Sequence, residues 1–231
     1  MKIDLHNFFK YYDEKNPKHV AAVDQLEKDL VDSSLMDDSS NWVRIYRTQP
    51  EKPKSSILEV PFYSQTDNYR DANRTCNSSS CAMCLAYFKP GTLTGAKGDD
   101  AYVQKVFAVG DTTDHLVQTR VLDSYGIKSH FSYSLSFADL DHELAAGRPV
   151  VIGILHRGSL SNPTGGHMVV VIGKTPSGDY VVNDPYGSLN DGYTGSVYNG
   201  KGAVYKKYDL VKRWTPDGPN SGWGRIFEVK K

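Results

Sequence analysis

Apolar positions recur along the chain with two different periods, and the change of period predicts its organisation. Val20, Val23, Leu26 and Leu30 return at helical spacing, with Lys18, Asp24, Lys28 and Asp29 on other faces, the pattern of an amphipathic helix. Asn16-Pro17 supplies its start, since Asn caps and Pro suits the first helical position. Asp37-Asp38-Ser39-Ser40 interrupts the pattern, Trp42 to Tyr46 alternates like a short strand, and Gln49 to Ser56 has linker composition. From Ile57 onward Leu58-Glu59-Val60 runs extended into Pro61. Residues 77–88 read as a helix stopped by Lys89-Pro90-Gly91, and Asp114 to Ser124 as a second, closed by Gly126. Ile127 to Tyr133 reads as a strand and Phe137 to Ala146 as a third helix, with Gly147 as its end signal. Short β-branched runs follow at Val150 to Leu155, Met168 to Ile172, Tyr180 to Val182 and Arg225 to Val229, each bounded by Gly or Pro in the manner of buried strands. Helices first and strands after is an α+β order rather than an alternating βαβ one. The expected division is a helical extension and linker over residues 1–56, too small for its own core and expected to dock, and a main domain over 57–231.

Composition narrows the function. With 39% hydrophobic and 11% aromatic residues the chain can build a core. Lys and Arg total 27 against 27 Asp and Glu, so no overall positive field favours nucleic acid, and none is expected as a partner. No apolar run approaches the roughly 18 residues of a membrane helix, so membrane insertion is not expected. Asp4 and His6 break the opening stretch, giving the expectation of no secretory signal and of synthesis in the cytoplasm. Between Asp184 and Arg225 lies a stretch rich in Gly and Tyr, expected to form a long substrate-facing loop.

The three cysteines, Cys76, Cys81 and Cys84, fall close together. Their spacing lacks the fourth Cys of a plant-type iron–sulfur run, and no nearby His supports a zinc site. Cys81 and Cys84 lie inside the predicted helix among Ala82, Met83, Leu85 and Ala86, as small core residues do. Cys76 stands at the helix start, where the unpaired N–H groups and the helix dipole favour a thiolate. The small polar residues Asn77 to Ser80 there are expected to cap the helix and leave room for a substrate.

A thiolate nucleophile needs a base, and the base needs an orienter. Of the seven histidines, His167 stands out: it follows Gly165-Gly166 and opens the apolar strand from Met168. His115, His130, His142 and His156 have no special setting by sequence. Asp184 ends the next predicted strand, just before Pro185. A hairpin through Pro176-Ser177-Gly178 would bring it to the same sheet edge as His167, where it could accept the imidazole N–H. Asn183 is the rival orienter, but strand alternation turns it the other way. Gln65, upstream of Cys76, could donate to an oxyanion together with the Cys76 N–H. Each residue taken singly is more often structural; the ordered set is far more specific.

Four segments carry a resemblance: Val60-Pro61-Phe62-Tyr63-Ser64-Gln65; Cys76 with Ser78-Ser79-Ser80-Cys81-Ala82-Met83-Cys84-Leu85; Gly166-His167 with Met168 to Gly173; and Asp184-Pro185-Tyr186-Gly187. In this order they resemble the papain-like cysteine peptidases of family 39, the group of the double-glycine leader peptidases and their stand-alone relatives, over roughly residues 57–229. The form is most similar to that of bacteriophage lysins. The resemblance implies a papain-like fold, with the helix carrying the nucleophile packed on an antiparallel sheet carrying His and Asp. It assigns Cys76 as nucleophile, His167 as base, Asp184 as orienter and Gln65 as oxyanion donor, with no cofactor. It further implies an endopeptidase or amidase acting, as a monomer, on stem or cross-bridge peptides of bacterial peptidoglycan. The chain departs from the family where Asn77 and Ser78 replace the usual Gly and Pro, and in a longer segment from Asp67 to Thr75. There Asp67, Asn68 and Asp71 read as a solvated loop before a cation site.

Two other readings stay open: a peptidase that processes proteins, and a non-catalytic wall-binding module using the Tyr/Gly-rich stretch with Trp214 and Trp223. His142-Glu143-Leu144-Ala145-Ala146 lacks the second His of a metallopeptidase motif, and Ser78 to Ser80 lie outside any serine-hydrolase elbow.

Overall fold

The computed structural model describes residues 15–32 and 57–229, and the chain divides into two units, Met1–Lys54 and Ser55–Lys231. In the first, helix α1 spans Pro17–Asp32, and Asn16 Oδ1 accepts the Lys18 N–H at 3.0 Å as the expected cap. The strand expected at Trp42 to Tyr46, the break at Asp37 to Ser40 and the linker lie outside the described residues.

The second unit is built on six antiparallel strands: β1 (Ser129–Leu135), β2 (Val150–Ile154), β5 (His167–Lys174), β6 (Tyr180–Asn183), β7 (Ala203–Tyr205) and β8 (Gly222–Phe227). Their spatial order is β1-β8-β2-β5-β6-β7. A two-stranded hairpin, β3 (Arg157–Ser159) and β4 (Asn162–Thr164), sits between β2 and β5 in the chain. Helices α2 (Cys76–Phe88), α3 (Asp99–Val109) and α4 (His115–Ser124) precede the sheet. Helices α5 (Phe137–Ala145) and α6 (Lys207–Arg213) are interleaved with its strands.

Alternation along β5 explains why its sequence is apolar throughout. Met168, Val170 and Ile172 join the core that contains α2 and α4, whereas Val169 and Val171 join a second core with Leu140 and Leu144 of α5, Leu210 of α6 and the Trp214 that caps it. Both faces of the sheet are therefore covered, which removes the polar face a half-exposed strand would show. Helix α2 carries this further. Every residue from Asn77 to Ala86 is buried, so the helix has no polar stripe.

Several expected boundaries shift. The strand expected at Ile127 to Tyr133 runs from Ser129 to Leu135, and the last strand begins at Gly222 rather than Arg225. Its glycines are spacing devices, not breakers: a Cβ on Gly222 would meet the Trp214 ring at 2.5 Å, and one on Gly224 the Val151 carbonyl at 2.6 Å. Helix α3 was not anticipated. The stretch from Asp184 to Arg225 is not one substrate-facing loop; it holds two 3-10 turns, β7 and α6, which return to the sheet and the core. Trp214, a candidate surface aromatic, is fully buried with its Nε1–H donating to the Trp223 carbonyl.

Candidate active site

Helix α2 begins at Cys76, with Thr75 as the preceding cap residue. Cys76 is partly accessible, while Cys81 and Cys84 are buried core residues whose thiols burial pushes up. The serines after Cys76 do not open space for a ligand. Ser78 Oγ lies 2.7 Å from Thr112 Oγ1, Ser79 donates to Asp99 Oδ2 at 2.6 Å, and Ser80 donates to the Met168 carbonyl at 3.1 Å. They bolt the helix start to its surroundings, because a buried hydroxyl must find a partner. Ser80 matters most for geometry, since it ties α2 to the residue that follows His167. Asn77 places its amide 3.3 Å from His115 Nδ1, and His115 stacks on Phe131 at 3.5 Å between ring centres.

The hairpin of β5 and β6 turns through Thr175 to Asp179 and sets His167 beside Asp184. His167 Nε2–H donates to Asp184 Oδ1 at 2.6 Å, with both side chains almost fully buried. That bond leaves Nδ1 as the ring nitrogen not engaged by Asp184, and Cys76 and His167 shift each other's protonation. Asn183 faces away, as alternation requires: its Nδ2 donates to the Val60 carbonyl and its Oδ1 accepts the Gly202 N–H.

Electrostatics favour an ion pair. Burial raises the Cys76 thiol, but His167 and the Met168 and Asn77 N–H groups outweigh it, and the net shift is downward. Burial lowers His167, yet the Asp184 carboxylate and then Cys76 carry it up to about 10. A lowered thiol facing a raised imidazole is the pattern a thiolate–imidazolium couple would show.

Gln65 opens a 3-10 turn at Gln65–Asp67. Its N–H donates to the Pro185 carbonyl at 2.9 Å, and its side-chain Nε2 donates to the Ala72 carbonyl at 2.8 Å. It therefore bridges the turn after Asp184 and the loop that delivers Cys76. The neighbouring polar residues serve structure. Asn68 sits between Thr75 Oγ1 at 2.8 Å and Ser79 Oγ at 2.9 Å, and Asp71 pairs with Arg70 at 3.4 Å. Among the described residues no group of three His, Cys, Asp or Glu is placed to hold a metal ion.

Sequence reasoning missed the shell around Asp184. Tyr205 donates to Oδ2 at 2.6 Å, Tyr193 donates to the same oxygen at 3.1 Å, and the Tyr186 N–H donates to Oδ1 at 3.0 Å. Burial, then the Asp184 charge, pushes both tyrosine hydroxyls up, so they act as donors. Tyr193 adopts a left-handed backbone at φ 62 directly after Gly192 at φ 65, a conformation that costs an aromatic residue about 1–3 kcal/mol. It places the Tyr193 ring 5.9 Å from His167 and 5.7 Å from His156. His156, passed over in sequence, lies 5.1 Å from His167 between ring centres. Its only signal was proximity in sequence to the hairpin before Gly165-Gly166.

Residues 57–216 match the model of the Peptidase C39 like family. A solved structure from Bacillus anthracis, assigned as a C39-like peptidase, is similar with a TM-score of 0.51 at 16% identity, covering 76% of this chain and 98% of its own. A double glycine motif protease from an AMS/PCAT transporter, solved with its leader peptide, gives 0.47 at 16% identity, covering 74% of this chain and 93% of its own. No curated protein matches the chain.

Proposed function

The chain belongs to the Peptidase C39 like family and is a cysteine peptidase; from that premise we propose that Cys76, His167 and Asp184 are its triad and that it cleaves peptides of bacterial peptidoglycan. One observation carries the site: an imidazole held by a buried carboxylate draws down the thiol of a partly accessible cysteine at a helix start. The wall substrate rests on the resemblance of the four sequence segments to the lysin form.

In this reading the Cys76 thiolate attacks the scissile carbonyl carbon, forming a C–S bond and a tetrahedral oxyanion. The Cys76 N–H and the Gln65 amide stabilise that oxyanion. His167 gives its Nδ1 proton to the amine nitrogen as the C–N bond breaks. Water then attacks the thioester, losing a proton to His167, and the acid product leaves with the thiolate restored. Asp184 positions the ring throughout, and Tyr193 and Tyr205 position Asp184.

The test is mass spectrometry of fragments released from purified peptidoglycan by the wild type and by Cys76→Ser. New amine termini from the wild type alone are expected. Absence of such termini with walls of every cross-bridge chemistry, alongside cleavage of proteins, would overturn the wall substrate and leave a protein-processing peptidase.

A further inference from the structure

Beside His167 lies a cleft of about 440 Å³ walled by His156, Arg157, Gly158, Tyr186, Gly192 and Tyr193. Its size suits part of a ligand rather than a solvent crevice. Two of its walls are aromatic faces, and the rest is polar and cationic. Tyr186 and Tyr193 stand 5.4 Å apart between ring centres, and the strained left-handed pair Gly192-Tyr193 keeps the second ring in place.

The charge around this cleft is lopsided. Arg157 is exposed on its rim and donates from Nε to His156 Nε2 at 3.2 Å. Beneath it, Arg213 is 8% exposed and donates to the carbonyls of Leu155, Arg157 and Gly158 at 2.6, 3.1 and 3.1 Å. Among the described residues neither guanidinium forms an ion pair with a carboxylate. Asp184, whose charge reaches His156, is already paired with His167. His156 registers the resulting field: burial, then the charges of His167 and Arg157, hold it down at about 4 despite the opposing pull of Asp184. It stays neutral, so Arg157 is the charged side chain of the cleft's lining.

A peptide offers one kind of anion, the carboxylate. We propose that this cleft is a substrate subsite that selects a carboxylate two or three bonds from the peptide backbone or at a chain end, with Arg157 as its specificity-determining residue. The proposal rests on the peptidase reading above, and it adds what that reading leaves open, namely which peptides are accepted. Arg157 presents the planar fork that suits a carboxylate, Arg213 holds the segment 155–158 rigid beneath it, and the tyrosine rings receive the apolar stem.

Binding to the full-length Cys76→Ala variant tests this without using turnover, so the subsite and the peptidase reading can fail separately. The probes are acetyl-Ala-Glu-Ala-amide, acetyl-Ala-Gln-Ala with a free C-terminal carboxylate, and the neutral acetyl-Ala-Gln-Ala-amide. The imidazole resonances of His156 are followed by NMR. At least one charged peptide is expected to bind ten-fold or more tightly than the neutral one, and whichever does so identifies a side-chain or a terminal carboxylate. Adding Arg157→Gln is expected to remove the preference, and Arg157→Lys to retain part of it. Equal affinity for all three peptides, no binding of any, or a preference unchanged by Arg157→Gln would overturn the proposal.

Discussion

Tyr205 donates its hydroxyl to Asp184 Oδ2 at 2.6 Å, on the carboxylate oxygen that His167 does not use. Because the Leu189 N–H also donates to this hydroxyl at 2.9 Å, its proton has one place to go. The carboxylate is thus held from both sides, one oxygen by imidazole and the other by phenol. Replacing Tyr205 with Phe leaves a buried acceptor short of a donor, a loss of about 1–3 kcal/mol. The expected outcome is a lower thermal midpoint and a roughly ten-fold lower kcat with KM little changed. The alkaline limb of the pH profile should move up, since an Asp184 with fewer donors holds the imidazolium proton more firmly. A purely structural tyrosine would lower the midpoint and leave that limb where it was.

The ion pair sets the pH dependence, and its sign follows from the two shifts. Cys76 lies below its ordinary value and His167 is raised to about 10. In the proposed triad activity requires thiolate and imidazolium together, so kcat/KM is expected to rise with pH through the depressed thiol value and to fall again as His167 loses its proton near 10. Alkylation of Cys76 by iodoacetamide should share the acid limb. In His167→Ala that limb is expected to move upward, because burial then acts on the thiol without the imidazole opposing it.

Gln65→Ala removes the proposed oxyanion donor and also the bond to the Ala72 carbonyl. Loss of one such donor costs on the order of 10²–10³ in kcat. Acyl transfer to water and to added amine should slow together, while the iodoacetamide rate of Cys76, which needs no oxyanion, should change little. A matching fall in alkylation would place Gln65 among the residues that shape the thiolate rather than the transition state.

Gly200 is a position where no side chain fits. A Cβ there would meet the Asp184 carbonyl at 2.2 Å and the Gly187 carbonyl at 2.3 Å, and the Gly200 carbonyl accepts the Asp184 N–H at 2.9 Å. Gly200→Ala is expected to destabilise by about 1–3 kcal/mol and to lower activity by displacing Asp184. Gly166→Ala is the contrast, with no heavy atom within 4 Å of its Cβ. Urea unfolding of the two variants should separate them, the second staying within about 0.5 kcal/mol of wild type.

What the sequence disclosed about this site was local. Cys76 could be read because a helix start marks itself by its neighbours, and His167 because two glycines and an apolar strand frame it. Asp184 followed from the length of one hairpin, and Asn183 could be set aside by the alternation of a single strand. Tyr193, Tyr205 and His156 could not be read, because nothing near them in the chain says what they touch. Their partners lie across the sheet or come through a left-handed turn, and tyrosines among glycines suggested a loop facing the substrate. The same limit hid the role of Ser78, Ser79 and Ser80. Polar residues at a helix start suggest openness, and only long-range contacts with Thr112, Asp99 and Met168 reveal them as anchors. The fold class was legible for the opposite reason: apolar periodicity is a property of each element alone.

Helix α2 is enclosed on every side from Asn77 to Ala86. A reactive group mounted on such a rod cannot swing free by fraying, because loosening any turn between Asn77 and Ala86 means breaching the centre of the molecule. The thiol should therefore keep its heightened reactivity up to the denaturant concentration at which the whole unit melts, and surrender it in the same step. Backbone amides of this segment belong with the last to exchange their hydrogens for deuterium.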